Sequence, residues 1–203
     1  MNASTTTVTR RARVGIRGGV LQCAGLLAVA LLISAIFGPQ PLWVSLADSK
    51  AVVWQIIAGT AIGFAFATPT LFVILTFGAF ARFRTFVLEL PDRLDARGWN
   101  PLWFGLCAGV GEELLFRGAL QPLLGIWWTG LLFTLAHSGT GRFKSKNLMK
   151  WGYAVFLFAV SLMFGLVLIK IGIIAAVALH ATADTLIFLV LRESAGRHVS
   201  RAS

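Results

Sequence analysis

Charge is what this chain has least of. Only 13% of its 203 residues are Asp, Glu, Lys or Arg, while 57% are hydrophobic and the mean hydropathy is +0.81. A soluble domain needs a charged surface, so this composition argues against one. Cysteine is nearly missing as well. Cys23 and Cys107 both fall in apolar runs, which leaves no disulfide framework and no zinc-finger spacing and predicts two buried free thiols. Acidic residues are absent from residues 1–19, an Arg-, Ser- and Thr-rich stretch with the superficial composition of a transit peptide. The apolar run behind it is long for the core of a signal peptide, so a retained first span is expected. No lipidation motif stands at Ser200-Arg201-Ala202-Ser203.

What the chain does have is a series of uncharged runs, each near the about 20 apolar residues that cross a bilayer. They predict an all-α, polytopic membrane helical bundle of about six transmembrane helices. The expected spans are 18–37, 51–81, 101–119, 122–137, 151–171 and 172–191. The second is 31 residues long and holds Pro69, so tilt or a kink is expected there. The net charge of +10 lies outside these runs: Arg10, Arg11, Arg13 and Arg17 precede the first, Arg142, Lys144, Lys146 and Lys150 fill a later loop, and Arg192, Arg197 and Arg201 end the chain. Such placement follows the positive-inside rule rather than a nucleic-acid surface, and puts both termini in the cytoplasm. The expected organisation is a basic tail (1–17), two helices with a polar connector (18–100), a helical core (101–193) and a polar tail (194–203). Trp127, Trp128 and Trp151 near span ends read as interfacial anchors. Gly59 with Gly63, and Gly105 with Gly109, are small-residue patterns that permit close helix packing.

The chemistry is concentrated in a few positions. Across 101–138 the only Asp, Glu, Lys, Arg or His residues are Glu112, Glu113, Arg117 and His137. An ionisable group at membrane depth is costly and marks function by default. Glu113 and Arg117, four apart, share a helix face and can pair, leaving Glu112 about 100° away to meet another partner. Phe133 and His137 are also four apart, as are His180 and Asp184 in the last span. With a rise of about 1.5 Å per residue, Glu112 lies roughly 17 Å into its span. His180 lies about 18 Å from the inner face of a ~30 Å core, a similar depth. A carboxylate and an imidazole facing a water-filled cavity can activate water as a general base. A second histidine with a further polar group can stabilise the oxyanion formed at a peptide carbonyl.

Glu112-Glu113-x-x-x-Arg117, Phe133-x-x-x-His137 and His180-x-x-x-Asp184, in this order on separate helices, resemble the three motifs of the CAAX protease and bacteriocin-processing family, also called Abi or type II CAAX prenyl endopeptidases. The resemblance covers about 101–191 and leaves the first two spans outside. It implies an intramembrane endopeptidase in which Glu112 and His137 activate water, while His180 and Asp184 form the oxyanion site. Glu113 and Arg117 would hold the helix geometry, and Phe133 would wall the site. Where the family often has Asn, this chain has Asp184. An ionised carboxylate repels an oxyanion, so Asp184 must be protonated or must orient His180 instead.

Other readings stay open from the sequence. Glu112, His137 and His180 could serve as zinc ligands. The chain lacks His-Glu-x-x-His, however, and the resemblance favours no cofactor. A rhomboid-like serine site is discounted, because Ala136 breaks the expected Gly-x-Ser-Gly before Ser138. A transporter or non-catalytic membrane scaffold could use the same Glu, His and Asp as a proton relay or recognition site. The expected partners are a peptide or protein substrate, lipidated tails included, and membrane lipids, with no nucleic acid. The expected location is the plasma membrane.

Overall fold

In the computed structural model, which describes residues 13–39, 51–81, 84, 94–138 and 147–200 (side chains of 79, 147–150 and 194–200 excepted), the apolar runs are helical. Helices satisfy every backbone group within one segment, which lipid demands. In chain order they are α1 (Ile16–Phe37), α2 (Val52–Thr76), α3 (Asn100–Glu113), a π-helical segment (Leu114–Leu120), α4 (Gln121–Ser138), α5 (Asn147–Lys170) and α6 (Ile173–Ser200). No strand occurs among the described residues, and one isolated bridge joins Val14 to Leu94. The second apolar run yields a shorter helix than its length suggested. Phe77 turns extended (φ −85°, ψ 127°), which ends α2 at Thr76 with Pro69 inside it.

Among the described residues, five helical segments are long and apolar enough to cross a membrane: 16–37, 52–76, 100–138, 151–170 and 173–193. The sequence pattern gives six because it separates 101–119 from 122–137, whereas the helical run is continuous in residue number from 100 to 138. That run is nonetheless folded back on itself. Gly125 is non-helical at φ 75° and ψ 170°, a conformation open to glycine and strained for other residues. In a straight helix, Glu112 and His137 would stand ~37 Å apart; here their side chains approach to 3.2 Å. The chain therefore forms a hairpin with its turn at Gly125. Its second arm, 126–138, rises only ~20 Å, less than a ~30 Å hydrocarbon core.

Helix α6 is the hub. Gly59 and Gly63 of α2 lie against the carbonyl oxygens of Ala175 and Leu179. Gly105 and Gly109 of α3 lie against those of Ala181 and Val177. A Cβ on Gly59 or Gly105 would overlap the facing carbonyl, so both small-residue patterns exist to bring backbones together. Helix α1 packs on α3 near Gly111, beside Cys23 and Leu26. Cys23 and Cys107 meet there in side-chain contact, each half-buried rather than fully buried as the composition suggested. Arg192, near the end of α6, donates to Gly98 O at 3.0 Å and ties that end to the entrance of α3. Trp127, Trp128 and Trp151 are exposed, and Lys170 is the exposed last residue of α5. The expectations placed on Arg10, Arg11, Arg142, Lys144, Lys146, Arg201 and most of the 82–93 connector fall outside the described residues. So do those on the side chains of Lys150 and Arg197.

Candidate active site

Glu113 and Arg117 are four apart across the start of the π segment and share a face, with Arg117 Nε 3.1 Å from Glu113 Oε2. Both side chains are fully buried, at 0% exposure. Two charges sealed this way stand only if every remaining group finds compensation. Arg117 Nη2 donates to the Ser161 carbonyl at 3.0 Å and to Ser161 Oγ at 2.9 Å. Its Nη1 has no hydrogen-bond partner. The guanidinium instead lies over aromatic rings, its carbon 4.8 Å from the Phe133 centroid, 5.3 Å from Phe164 and 5.8 Å from Phe116. Such contacts reach ~2 kcal/mol when desolvated.

The other oxygen of Glu113 serves the last helix. His180 Nδ1 lies 2.7 Å from Glu113 Oε1. An ionised carboxylate only accepts, so Nδ1 carries the proton and donates. His180 Nε2 then faces Asp184 Oδ2 at 3.6 Å, beyond hydrogen-bond reach. Orienting His180 is thus the work of Glu113, which the helix spacing alone assigned to Arg117. Asp184 stands at the more exposed side of the cluster, its side chain 28% exposed.

Glu112, one position earlier, points elsewhere and meets the second hairpin arm. Its Oε2 lies 3.2 Å from His137 Nε2. His137 Nδ1 donates to the carbonyl of Phe133, four residues back, at 2.9 Å. A carbonyl cannot donate, so this bond fixes the proton on Nδ1 and turns Nε2 toward the carboxylate. Phe133 is buried and stacks on His137 with centroids 4.1 Å apart. The pair is partly accessible, with 12% of the Glu112 side chain and 26% of the His137 side chain exposed. One pair is sealed, and the other is open enough to meet water, which a proton exchange with solvent requires.

All seven residues singled out in the sequence therefore meet in one cluster built by α3, the π segment, α4 and α6. Among the described residues no group of three or more His, Cys, Asp or Glu is arranged to hold a metal ion. His137 and His180 address different carboxylates, Glu112 and Glu113. Sequence reasoning missed Ser161 and Phe164 on α5 and Gln121, whose Nε2 donates to Gly165 O at 3.2 Å. Ser161 is the only hydroxyl residue from 154 to 170, a signal that an otherwise apolar span offers. The π segment had no sequence signal, yet such segments recur at functional sites.

Residues 96–186 match the family model described as type II CAAX prenyl endopeptidase Rce1-like. The match runs from just before α3 to just after Asp184 and contains every residue of the cluster named from the three motifs. The family is one of proteases, and the resemblance read from those motifs is borne out by it. With five helices of membrane-spanning length and apolarity among the described residues, the chain is an integral membrane protein with a region that matches this peptidase family. No curated protein and no solved structure matches it significantly.

Proposed function

We propose that the chain is an intramembrane endopeptidase that hydrolyses a peptide bond with water activated by Glu112 and His137. The observation that carries this reading is the contrast between two neighbouring carboxylates. Glu113 is sealed against Arg117 and His180, whereas Glu112 faces a single imidazole across a partly open hairpin. A water lodged at the open side can lose its proton to the Glu112–His137 pair and attack a carbonyl. The proton then passes to the leaving amine. His180, its Nδ1–H held in a hydrogen bond by Glu113, enters the step as an imidazolium and keeps both protons, so that Nε2–H is the donor for the developing oxyanion. Asp184, beside that nitrogen, belongs to the same subsite.

On this reading the hairpin arms and the other four helices make six crossings, both termini lie in the cytoplasm, and the protein resides in the cell membrane. The substrate is a membrane-associated protein or a peptide precursor approached from the cytoplasmic side, with lipid-modified tails inside that class. The reaction uses no metal.

The test compares peptide termini in membranes of cells carrying the wild-type chain with those carrying Glu112→Gln. New termini confined to wild type are expected, and their sequences name the substrate. Equal termini, with both proteins inserted equally, would instead support a transporter or a partner-binding scaffold.

A further inference from the structure

Each histidine of the cluster lies flat on a phenylalanine. His137 stacks on Phe133 at 4.1 Å with the planes 24° apart, and His180 stacks on Phe164 at 5.0 Å and 27°. The Arg117 guanidinium contacts both phenylalanines, at 4.8 Å and 5.3 Å. His137, Phe133, Arg117, Phe164 and His180 thus form one unbroken series of ring contacts through the cluster. Its centre is anchored, because Arg117 is held by Glu113 and by both oxygens of Ser161.

We propose that Phe164 is a positioning residue for His180, as Phe133 is for His137. The proposal rests on the hydrolytic reading of the site. A single hydrogen bond from Nδ1 to Glu113 fixes one atom of the His180 ring but leaves the ring free to swing about that contact. A flat neighbour removes this freedom by setting the plane, and with it the direction in which Nε2 points. An aliphatic side chain of similar volume fills the space without defining a plane. Phe164 is 3% exposed, so it acts through His180 and not on substrate. Glu113 and Asp184 face the two ring nitrogens of His180, and neither sets the ring plane. Phe133 and Phe164 come from different helices, so the two histidines are set by matching devices that share one cation.

The experiment places wild type, Phe164→Leu and Phe164→Tyr in lipid nanodiscs with nitrogen-labelled histidine and records the ring resonances alongside cleavage kinetics. Phe158→Leu, on the same helix but against Gly130 and Trp127, is the control. In Phe164→Leu the His180 signals should shift or broaden while those of His137 hold, and kcat should fall on the order of tenfold with KM nearly unchanged. Phe164→Tyr, which keeps the ring, and Phe158→Leu should resemble wild type. Should Phe164→Leu fail to insert, Phe164→Met replaces it. Unchanged His180 signals in a folded Phe164→Leu, or equal disturbance of both histidines, would overturn the proposal. The resonances decide the point even for a chain that cleaves nothing, which would sink the hydrolytic reading separately.

Discussion

Arg117 sits at the junction of everything at the site, and its removal should be expensive. Arg117→Met leaves the Glu113 carboxylate buried with His180 as its remaining partner. Breaking a buried pair from one side typically costs about 3–5 kcal/mol. Reversible unfolding in bicelles should show that loss, and Glu113→Gln combined with Arg117→Met should recover part of it. A cost below ~1 kcal/mol would deny the pair its architectural role. Asp184 stands differently, 3.6 Å from His180 Nε2 and without a hydrogen bond to it. Asp184→Asn should retain at least partial cleavage, measured on the substrate that the termini comparison supplies. Complete inactivation would show that the carboxylate itself is required. The Glu113–Arg117 pair was legible because it needs only the spacing of one helix. The Glu113–His180 bond spans 67 residues of sequence and depends on how α6 docks, which no local pattern encodes. Phe164 was hidden for another reason: among so many apolar residues, one more phenylalanine carries no signal.

Helix packing offers sharper tests, since the glycines differ in what surrounds them. A Cβ on Gly105 would strike the Ala181 carbonyl and Thr185 Oγ1, whereas one on Gly25 would meet nothing within 4 Å. Gly105→Ala should therefore cost about 1–3 kcal/mol by overpacking. Gly25→Ala should be neutral or should gain about 0.5–1 kcal/mol, because glycine is a poor residue within a helix. Equal effects in unfolding measurements would contradict the packing of α3 on α6. The α1–α3 contact has its own probe. Mild thiol oxidation should join Cys23 to Cys107 within one chain, and mass spectrometry of the linked peptides would detect it. Lack of any such link would place α1 elsewhere. Element positions were largely legible from hydropathy, because lipid leaves a chain few alternatives to helix. The hairpin's continuity and the π turns were not. Both follow from backbone geometry around Gly125 and Arg117 that an apolar pattern does not register.

For the whole molecule, the balance of basic residues predicts that reporters fused to either end are protected from the outside and reached from the cytoplasm. Opposite placement of the two ends would require an odd number of crossings and would remove the 126–138 arm as a span. The fold back at Gly125 also has a consequence in time. Glu112 and His137 are close in sequence once the chain reverses, so they can meet as soon as this hairpin enters the bilayer. His180 arrives only with α6, made after the other described helices, which must slide between the glycine faces of α2 and α3. Chains emerge and fold from the N-terminus. On the hydrolytic reading, a nascent copy would thus hold its water-activating pair while residues 138–180 are added and still lack the oxyanion partner. Its own unfinished segments, lying beside that pair in the same membrane, would pass it uncut.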